Sequence, residues 1–147
     1  MYKRILVATD GSKLSQKAVD HALSLADMTG AEVVALKVVP RYPQSYFEGG
    51  VALPASEVAR VEKQWHDEAM ATVTAIKSAG QKREVKVKPV TAKSDLVSEA
   101  IIGTAKRQKC DLIVMASHGR RGIKRLLLGS ETQQVLTHSH VPVLVLR

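Results

Sequence analysis

The sequence predicts an α/β protein in which a parallel sheet carries helices on both faces. Short apolar runs alternate with longer amphipathic stretches along the chain. The run at 112–116 is apolar at every position, which is typical of a central parallel strand that is covered on both sides. Regular alternation of strands and helices favours right-handed crossovers between parallel strands. We expect a single domain over residues 1–147, since this is an ordinary domain length.

The first part of the chain predicts a strand, a helix and a second strand. Arg4 to Thr9 is the first strand, and Asp10-Gly11-Ser12 supplies the turn residues behind it. Ser12 is the expected N-cap of the first helix, and Gly30 stands where a C′ residue would end it. Glu32 to Val39 is the second strand.

A long loop and a long helix follow. Residues 40–54 hold Tyr42, Tyr46 and Phe47, and loops of this length are often functional or mobile. Residues 55 to about 79 predict a helix that Gly80 ends. We interpret Trp65 as a core or interface residue of this helix rather than as a platform for a ligand.

The rest of the chain predicts three strands and two helices in alternation. These elements are a strand at 85–90, a helix at 95–108, a strand at 112–116, a helix at 130–138 and a strand at 142–146. Sheets of this class bind ligands outside the carboxyl ends of their strands. We therefore expect the site behind Thr9, Val39 and Ala116.

Composition and charge exclude several classes of protein. No stretch reaches the roughly 20 apolar residues that cross a bilayer, and the N-terminus does not read as a signal peptide. The only cysteine, Cys110, has no partner for an internal disulfide, so we expect a cytoplasmic protein. The net charge of +8 is compatible with phosphate-bearing ligands. No nucleic-acid-reading motif is present, so no specific nucleic acid is expected.

The segment behind the fourth predicted strand has the chemistry of a phosphate site. Gly119 and Gly122 follow the strand, and Gly129 directly precedes a helix. Ser130 and Gln133 have the spacing of a capping box. The start of a helix presents unpaired amides and partial positive charge, which suit phosphate. Four basic residues raise the local potential, namely Arg120, Arg121, Lys124 and Arg125.

Other interpretations of the same residues stay open. The glycines would only make turns, and Ser130 would only cap a helix, if no ligand binds. There is no Walker loop, and the turn behind the first strand is not a dinucleotide fingerprint. His138 and His140 lack a third ligand for a metal. His118 either touches phosphate, acts as a base or orients the turn, and Cys110 is interpreted as a small packed hydrophobe.

Several stretches of the chain together resemble the universal stress protein family. They are Ile5-Leu6-Val7-Ala8-Thr9-Asp10-Gly11-Ser12, Asp111-Leu112-Ile113-Val114-Met115-Ala116-Ser117-His118-Gly119, Leu128-Gly129-Ser130-Glu131-Thr132 and Val141-Pro142-Val143-Leu144-Val145. The resemblance covers nearly the whole chain. It implies a five-stranded parallel sheet of order 3-2-1-4-5, of the Rossmann-like, adenine nucleotide alpha hydrolase-like kind.

The resemblance also implies a nucleotide site. Nucleotide-binding members carry Gly, two residues, a second Gly, nine residues, then Gly followed by Ser or Thr. Gly119 and Gly129-Ser130 match this pattern, whereas Ala116 occupies the first glycine position. Asp10 and the Val38 main chain would meet the adenine end. The implied binding residues are Ala8, Thr9, Asp10, Val38, Met115, Ala116, Gly119, Gly129, Ser130, Glu131 and Thr132.

Two departures from the family pattern bear on this site. An alanine at position 116 costs about 1 to 2 kcal/mol if the site requires positive φ there, and little if φ is negative. Residues 91–95 stand where relatives usually have a Gly-x-Pro turn, which changes the rim near the third helix.

We therefore expect a protein that binds ATP, or AMP or ADP, with Mg²⁺ or Mn²⁺ carried by the phosphates, in a stress-response regulatory role. No catalytic residue or dedicated metal ligand is assigned, and we do not expect an enzyme, although weak ATPase activity is not excluded. The alternatives are an interaction protein with a vestigial nucleotide site and a slow ATPase or autophosphorylating protein. The resemblance further implies a homodimer through the last strand, with Val141, Val143 and Val145 at the interface, and we expect an unidentified regulatory protein partner.

Overall fold

The computed structural model describes residues 1–43, 53–119 and 128–147, which form a parallel sheet flanked by helices. The strands are β1 (Arg4–Ala8), β2 (Glu32–Val39), β3 (Val87–Lys93), β4 (Leu112–Ala116) and β5 (Val143–Leu146). The helices are α1 (Lys13–Thr29), α2 (Ala55–Gln81), α3 (Val97–Arg107) and α4 (Ser130–His138). The strand order is β3-β2-β1-β4-β5, with parallel pairing throughout. The predicted fold class and strand order are confirmed.

The core lies in two layers, one on each face of the sheet. Alternate residues of a strand point to opposite faces, so Val7 packs in the layer under α1 and α2, whereas Leu6 packs in the layer under α3 and α4. Val114 and Ile113 of β4 divide between the layers in the same way. This explains why β4 is apolar at every position.

The ends of α1 agree with the sequence prediction. The Ser12 side chain accepts a hydrogen bond from the Ser15 amide at 3.2 Å, as an N-cap does. Gly30 has φ 74° and donates its amide to the Ala26 carbonyl at 2.8 Å. The left-handed conformation at this position is the one that glycine adopts without a steric penalty.

The prediction that Gly80 ends α2 is wrong, because the helix continues to Gln81. Gly80 is buried, and a Cβ added there would overlap Cγ2 of Val87 and lie 3.0 Å from the Val85 oxygen. The glycine therefore permits close packing of α2 on β3. The left-handed residue of this turn is Glu84, with φ 56°.

Several predicted bounds also change. β3 covers Val87–Lys93 rather than residues 85–90, because its register with β2 runs from Val33↔Val87 to Val39↔Lys93. The strand thus continues through residues 91–93, where the family resemblance implies a turn. α3 begins at Val97 rather than at Asp95, whose Oδ1 accepts a hydrogen bond from the Arg41 amide at 2.9 Å. β1 ends at Ala8 and β5 begins at Val143, each one residue inside its prediction.

The start of the long loop contacts α2. Tyr42 stacks on the half-buried Trp65 with ring centroids 6.0 Å apart, which agrees with a packing role for Trp65. The remaining predicted loop aromatics, Tyr46 and Phe47, lie outside the described residues. None of the helices in the described stretches is both long enough and apolar enough to span a bilayer.

Candidate functional site

The site predicted from the sequence lies at the carboxyl ends of β1 and β4. β1 pairs with β2 on one side and with β4 on the other, so the winding of the sheet reverses between β1 and β4. Open α/β sheets form a crevice at such a switch point. Ala8 is half-buried at the end of β1, and Met115 and Ala116 are buried at the end of β4.

The turn between β1 and α1 holds Asp10 in a fixed position. The Thr9 amide donates to the Leu36 oxygen at 3.0 Å, and the buried Thr9 hydroxyl lies 3.0 Å from the Ser15 hydroxyl. The Ser12 amide donates to Asp10 Oδ1 at 2.9 Å, which forms an Asx-type turn. Gly11 adopts φ 80°, which this turn requires.

Gly119 lies directly against the Asp10 carboxylate. A Cβ added to Gly119 would be 2.6 Å from Asp10 Oδ2, a distance at which one of the two groups must move. Gly119 does not have positive φ. The glycine is therefore required by this close approach, which brings the residue that follows β4 by three positions against the turn after β1.

The main chain of Val38 faces the same crevice. The Leu36 oxygen bonds to Thr9, and in a parallel ladder every second residue directs its N–H and C=O to the same side. Val38 therefore directs its polar groups toward β1, but beyond Ala8, the last residue of that strand. Its contact with the adenine end of a nucleotide stays a prediction.

The start of α4 differs from the predicted capping box. Gly129 is the N-cap, with φ −70° and ψ 161°, and Ser130 is the first helical residue. The Ser130 hydroxyl donates to Glu131 Oε2 at 3.0 Å, and Gln133 Nε2 donates to the Leu128 oxygen at 3.1 Å. The capping-box prediction is wrong because Gly129 itself takes the extended conformation of an N-cap.

Three amides at this helix start lack intrahelical partners. The first bond of the helix runs from the Gln133 amide to the Gly129 oxygen at 3.0 Å. The amides of Ser130, Glu131 and Thr132 precede it, and they carry the positive end of the helix dipole. The side chains of Ser130 and Glu131 are exposed. The Thr132 side chain is 2% exposed, and its hydroxyl donates to the Ala116 oxygen at 2.9 Å.

A main-chain hydrogen bond joins the residue after β4 to the N-cap of α4. The Gly129 amide donates to the Ser117 oxygen at 2.7 Å, and the Ser117 amide donates to the Leu146 oxygen at 2.7 Å. A Cβ at Gly129 would lie 3.3 Å from His118 Cα, so this glycine also packs closely. His118 Nδ1 lies 3.2 Å from the Ser117 hydroxyl. The predicted contributors Arg120, Arg121, Gly122, Lys124 and Arg125 lie outside the described residues.

The backbone conformation of Ala116 decides whether alanine is unfavourable at this position. In the described parts of the chain, Glu84 and Lys109 are the non-glycine residues with positive φ. Ala116 is the last residue of β4 and its side chain is 8% exposed. The penalty that positive φ would impose on alanine is therefore absent.

One charged residue near the site was not selected from the sequence. Lys37 Nζ donates to the Asp10 main-chain oxygen at 3.5 Å, which places an ammonium group beside the Asp10 turn. The sequence does contain a sign of this residue, because Lys37 interrupts the otherwise apolar end of β2.

The arrangement offers two kinds of recognition. The Asp10 carboxylate accepts hydrogen bonds from N–H or O–H groups, whereas the α4 amides donate to anions. Across residues 1–43, 53–119 and 128–147, no cluster of three or more His, Cys, Asp or Glu side chains is placed to hold a metal ion.

Comparisons with known proteins identify the family of the chain. The family model described as the universal stress protein family matches residues 1–147. Universal stress protein MJ0531 of Methanocaldococcus jannaschii is 33% identical over 100% of this chain and 83% of its own length. Universal stress protein YxiE of Bacillus subtilis is 31% identical over the full length of both chains.

Solved structures share the fold. Universal stress protein UspA from Lactobacillus plantarum superimposes with a TM-score of 0.82 at 24% identity, over 99% of this chain and 98% of its own. A universal stress protein solved in complex with cAMP has a TM-score of 0.68 at 25% identity, over 99% and 97% of the two chains. The match of the family model over the full length, together with relatives above 30% identity, shows that the chain belongs to the universal stress protein family.

Proposed function

We propose that this protein binds ATP or a related adenine nucleotide at the carboxyl ends of β1 and β4, in a stress-response regulatory role. The observation that carries the proposal is the close approach of Gly119 to Asp10 Oδ2. This approach places the Asp10 carboxylate next to Gly119. Both then lie at the same carboxyl-terminal edge of the sheet as the amides at the start of α4 that have no intrahelical partner. A hydrogen-bond acceptor and an anion-binding helix start thus flank one crevice, as a nucleotide requires.

The chemistry of the two halves of the crevice favours one orientation of the proposed ligand. The adenine and ribose would lie toward Asp10 and the Val38 main chain, since both the base and the sugar carry hydrogen-bond donors. The phosphates would lie toward Gly119, Gly129 and the first turn of α4, where backbone amides favour anions. Mg²⁺ or Mn²⁺ would arrive on the phosphates, with ATP, ADP and AMP as the candidate nucleotides. The relative solved with cAMP supports an adenine nucleotide as the ligand class.

We also propose a homodimer that forms through β5. This strand is at the sheet edge and pairs with β4. The side chains of Val141, Val143 and Val145 are each half-buried. Pairing with a second copy about a two-fold axis would satisfy the free edge of the strand, which is otherwise prone to aggregation. Nucleotide binding would change the surface offered to a regulatory protein in the cytoplasm.

The absence of a positive-φ penalty at Ala116 favours a working site over a vestigial one. We do not assign a catalytic role to Glu131, because its carboxylate accepts a hydrogen bond from the neighbouring Ser130 hydroxyl. The proposed activity is therefore binding and not catalysis.

Isothermal titration of the purified protein with ATP and Mg²⁺ tests the proposal, with AMP and cAMP as comparison ligands. We expect saturable binding of ATP that Gly129→Val lowers at least tenfold, because a branched side chain would press on His118 and cover the amides of α4. Gly103→Ala is the matched control, since a Cβ at this α3 residue meets only the end of the Arg107 side chain, at 3.1 Å. A flat trace from a folded protein would overturn the proposal in favour of an interaction protein with a vestigial site.

A further inference from the structure

A second cavity lies far from the nucleotide crevice, at the start of β4. It has a volume of about 420 Å³, within the range of small-molecule sites. Its floor is formed by apolar side chains of α3, β4 and the segment before β5, namely Ile102, Ala105, Cys110, Ile113 and Val141. Because Cys110 precedes the first residue of β4 and Ala116 is its last, the length of the strand separates the cavity from the nucleotide crevice.

The walls of this cavity are held by local hydrogen bonds. The Cys110 amide donates to the Ala105 oxygen at 2.8 Å, which closes the turn between α3 and β4. Across the cavity, the Ser139 hydroxyl donates to the Val141 oxygen at 2.7 Å and accepts from the Val141 amide at 3.1 Å. The turn between α3 and β4 and the turn at residues 139–141 are therefore both held by hydrogen bonds of the protein itself.

The rim of the cavity is basic. Lys106, Lys109 and His140 line it, and none of the lining residues in the described parts of the chain is a carboxylate. The neighbouring carboxylate of Asp111 accepts hydrogen bonds from the Lys3 and Arg4 amides at 2.9 and 3.1 Å, so it is engaged elsewhere. Lys109 adopts φ 55°, an unfavourable conformation for lysine.

We propose that this cavity binds a small amphipathic carboxylate, with its hydrocarbon chain on the apolar floor and its carboxylate beside Lys106 and Lys109. An apolar pocket with cations at the mouth and no competing anion complements this ligand class and disfavours neutral or cationic amphiphiles. The site is distinct from the nucleotide crevice and does not depend on nucleotide binding, whereas Val141 of its floor also belongs to the proposed dimer interface.

The probe is sodium decanoate, titrated into the full-length protein below its micelle-forming concentration. We expect saturable binding that is unchanged by saturating ATP. Hexanoate should bind at least tenfold more weakly, because each methylene removed from an apolar site lowers affinity about fourfold. The double variant Lys106→Gln/Lys109→Gln should weaken decanoate binding about three- to tenfold. Lys13→Gln/Lys17→Gln removes the same charge from exposed positions of α1 and should bind decanoate like wild type.

Cys110, the single cysteine of the chain, reports occupancy of the cavity directly. We expect decanoate to slow alkylation of Cys110 by iodoacetamide in the native protein. Equal protection by decyltrimethylammonium or 1-decanol would overturn the proposal, since neither carries a carboxylate. Competition between decanoate and ATP would overturn it by placing decanoate in the nucleotide crevice. Alkylation that slows with protein concentration but not with decanoate would assign the cavity to a second copy of the chain and also overturn it.

Discussion

The Thr132 hydroxyl donates a hydrogen bond to the Ala116 main-chain oxygen at 2.9 Å, and this bond joins the first turn of α4 to the last residue of β4. The bond is buried, with Thr132 only 2% exposed. It sets the distance between the strand end and the helix amides that are proposed to bind phosphate. The site thus depends on a hydroxyl that does not itself face the crevice.

Replacing Thr132 by valine keeps the shape of the side chain but removes the donor. The Ala116 oxygen would lose its partner, so we expect a loss of about 1 to 3 kcal/mol in the free energy of unfolding. We also expect weaker ATP binding, because the start of α4 is no longer fixed. Urea unfolding and calorimetric titration measure the two effects. Thr132→Ser, which retains the hydroxyl, should recover most of the affinity, and equal affinity of the valine variant would contradict this role.

Gly119→Ala should disturb Asp10, because the added Cβ would lie 2.6 Å from Asp10 Oδ2. We expect ATP affinity to fall about tenfold or more, equivalent to at least about 1.4 kcal/mol, while Gly103→Ala binds like wild type. The loss of stability caused by Gly119→Ala should largely disappear in an Asp10→Ala background, where the carboxylate is absent. Additive stability losses in the double variant, measured by urea unfolding, would argue against the contact.

Ala116→Gly supplies the glycine that the family resemblance implies at this position. Since Ala116 does not have positive φ, the glycine relieves no strain. We expect a destabilisation of about 0.5 to 1 kcal/mol from added flexibility of the unfolded chain. ATP affinity, measured by titration, should change less than twofold. A large gain in affinity would mean that the alanine methyl group obstructs the ligand.

Burial raises the pKa of the Cys110 thiol from 9.0 to about 11. Its alkylation rate in the folded protein should therefore keep rising with pH until about 11, whereas in urea it should level off near the ordinary thiol pKa. Because the folded-state pKa is the higher one, the stability from this neutral thiol is complete below about pH 9 and is lost as pH rises toward 11. Cys110→Ala should show a shallower loss of stability across this window, measured by urea unfolding at each pH.

Glu84→Gly should stabilise the protein. Glu84 has φ 56°, which glycine adopts without the Cβ penalty of about 1 to 2 kcal/mol. Part of this gain is offset by the greater backbone entropy of glycine when unfolded, so we expect a net gain of up to about 1 kcal/mol. Lys82→Gly, two residues earlier at φ −65°, is the control and should not stabilise. Thermal unfolding of both variants checks the prediction.

The fold could be predicted where a residue pattern is compatible with only one kind of structural element. The uniformly apolar β4 required cover on both faces, and Ser12 and Gly30 marked the ends of α1 by their capping chemistry. Glycine was ambiguous elsewhere, because it serves both left-handed turns and close packing. Gly80 was assigned to the first role and has the second, while Glu84 takes the left-handed position.

The sequence indicated which residues belong to the candidate site, but it did not indicate how they contact one another. The residue motifs indicated Asp10, Gly119 and Gly129, but the contact of Gly119 with Asp10 joins residues over 100 positions apart. The capping-box prediction failed because Ser130 and Gln133 have the right spacing, but the helix begins at Ser130, one residue earlier than a Ser130 cap requires. Lys37 interrupts the apolar pattern of β2 but matches no known motif, so it was not selected from the sequence.

The hydrogen bond from the Gly129 amide to the Ser117 oxygen has a consequence for how this protein can be altered. It holds Gly129 next to Ser117, the residue that directly follows β4, so the two ends of the connection between them are fixed. Doubling the length of such a connection costs only about 0.6 kcal/mol in closure entropy. An insertion between these two ends should therefore cost little stability and leave β4 and the start of α4 in place.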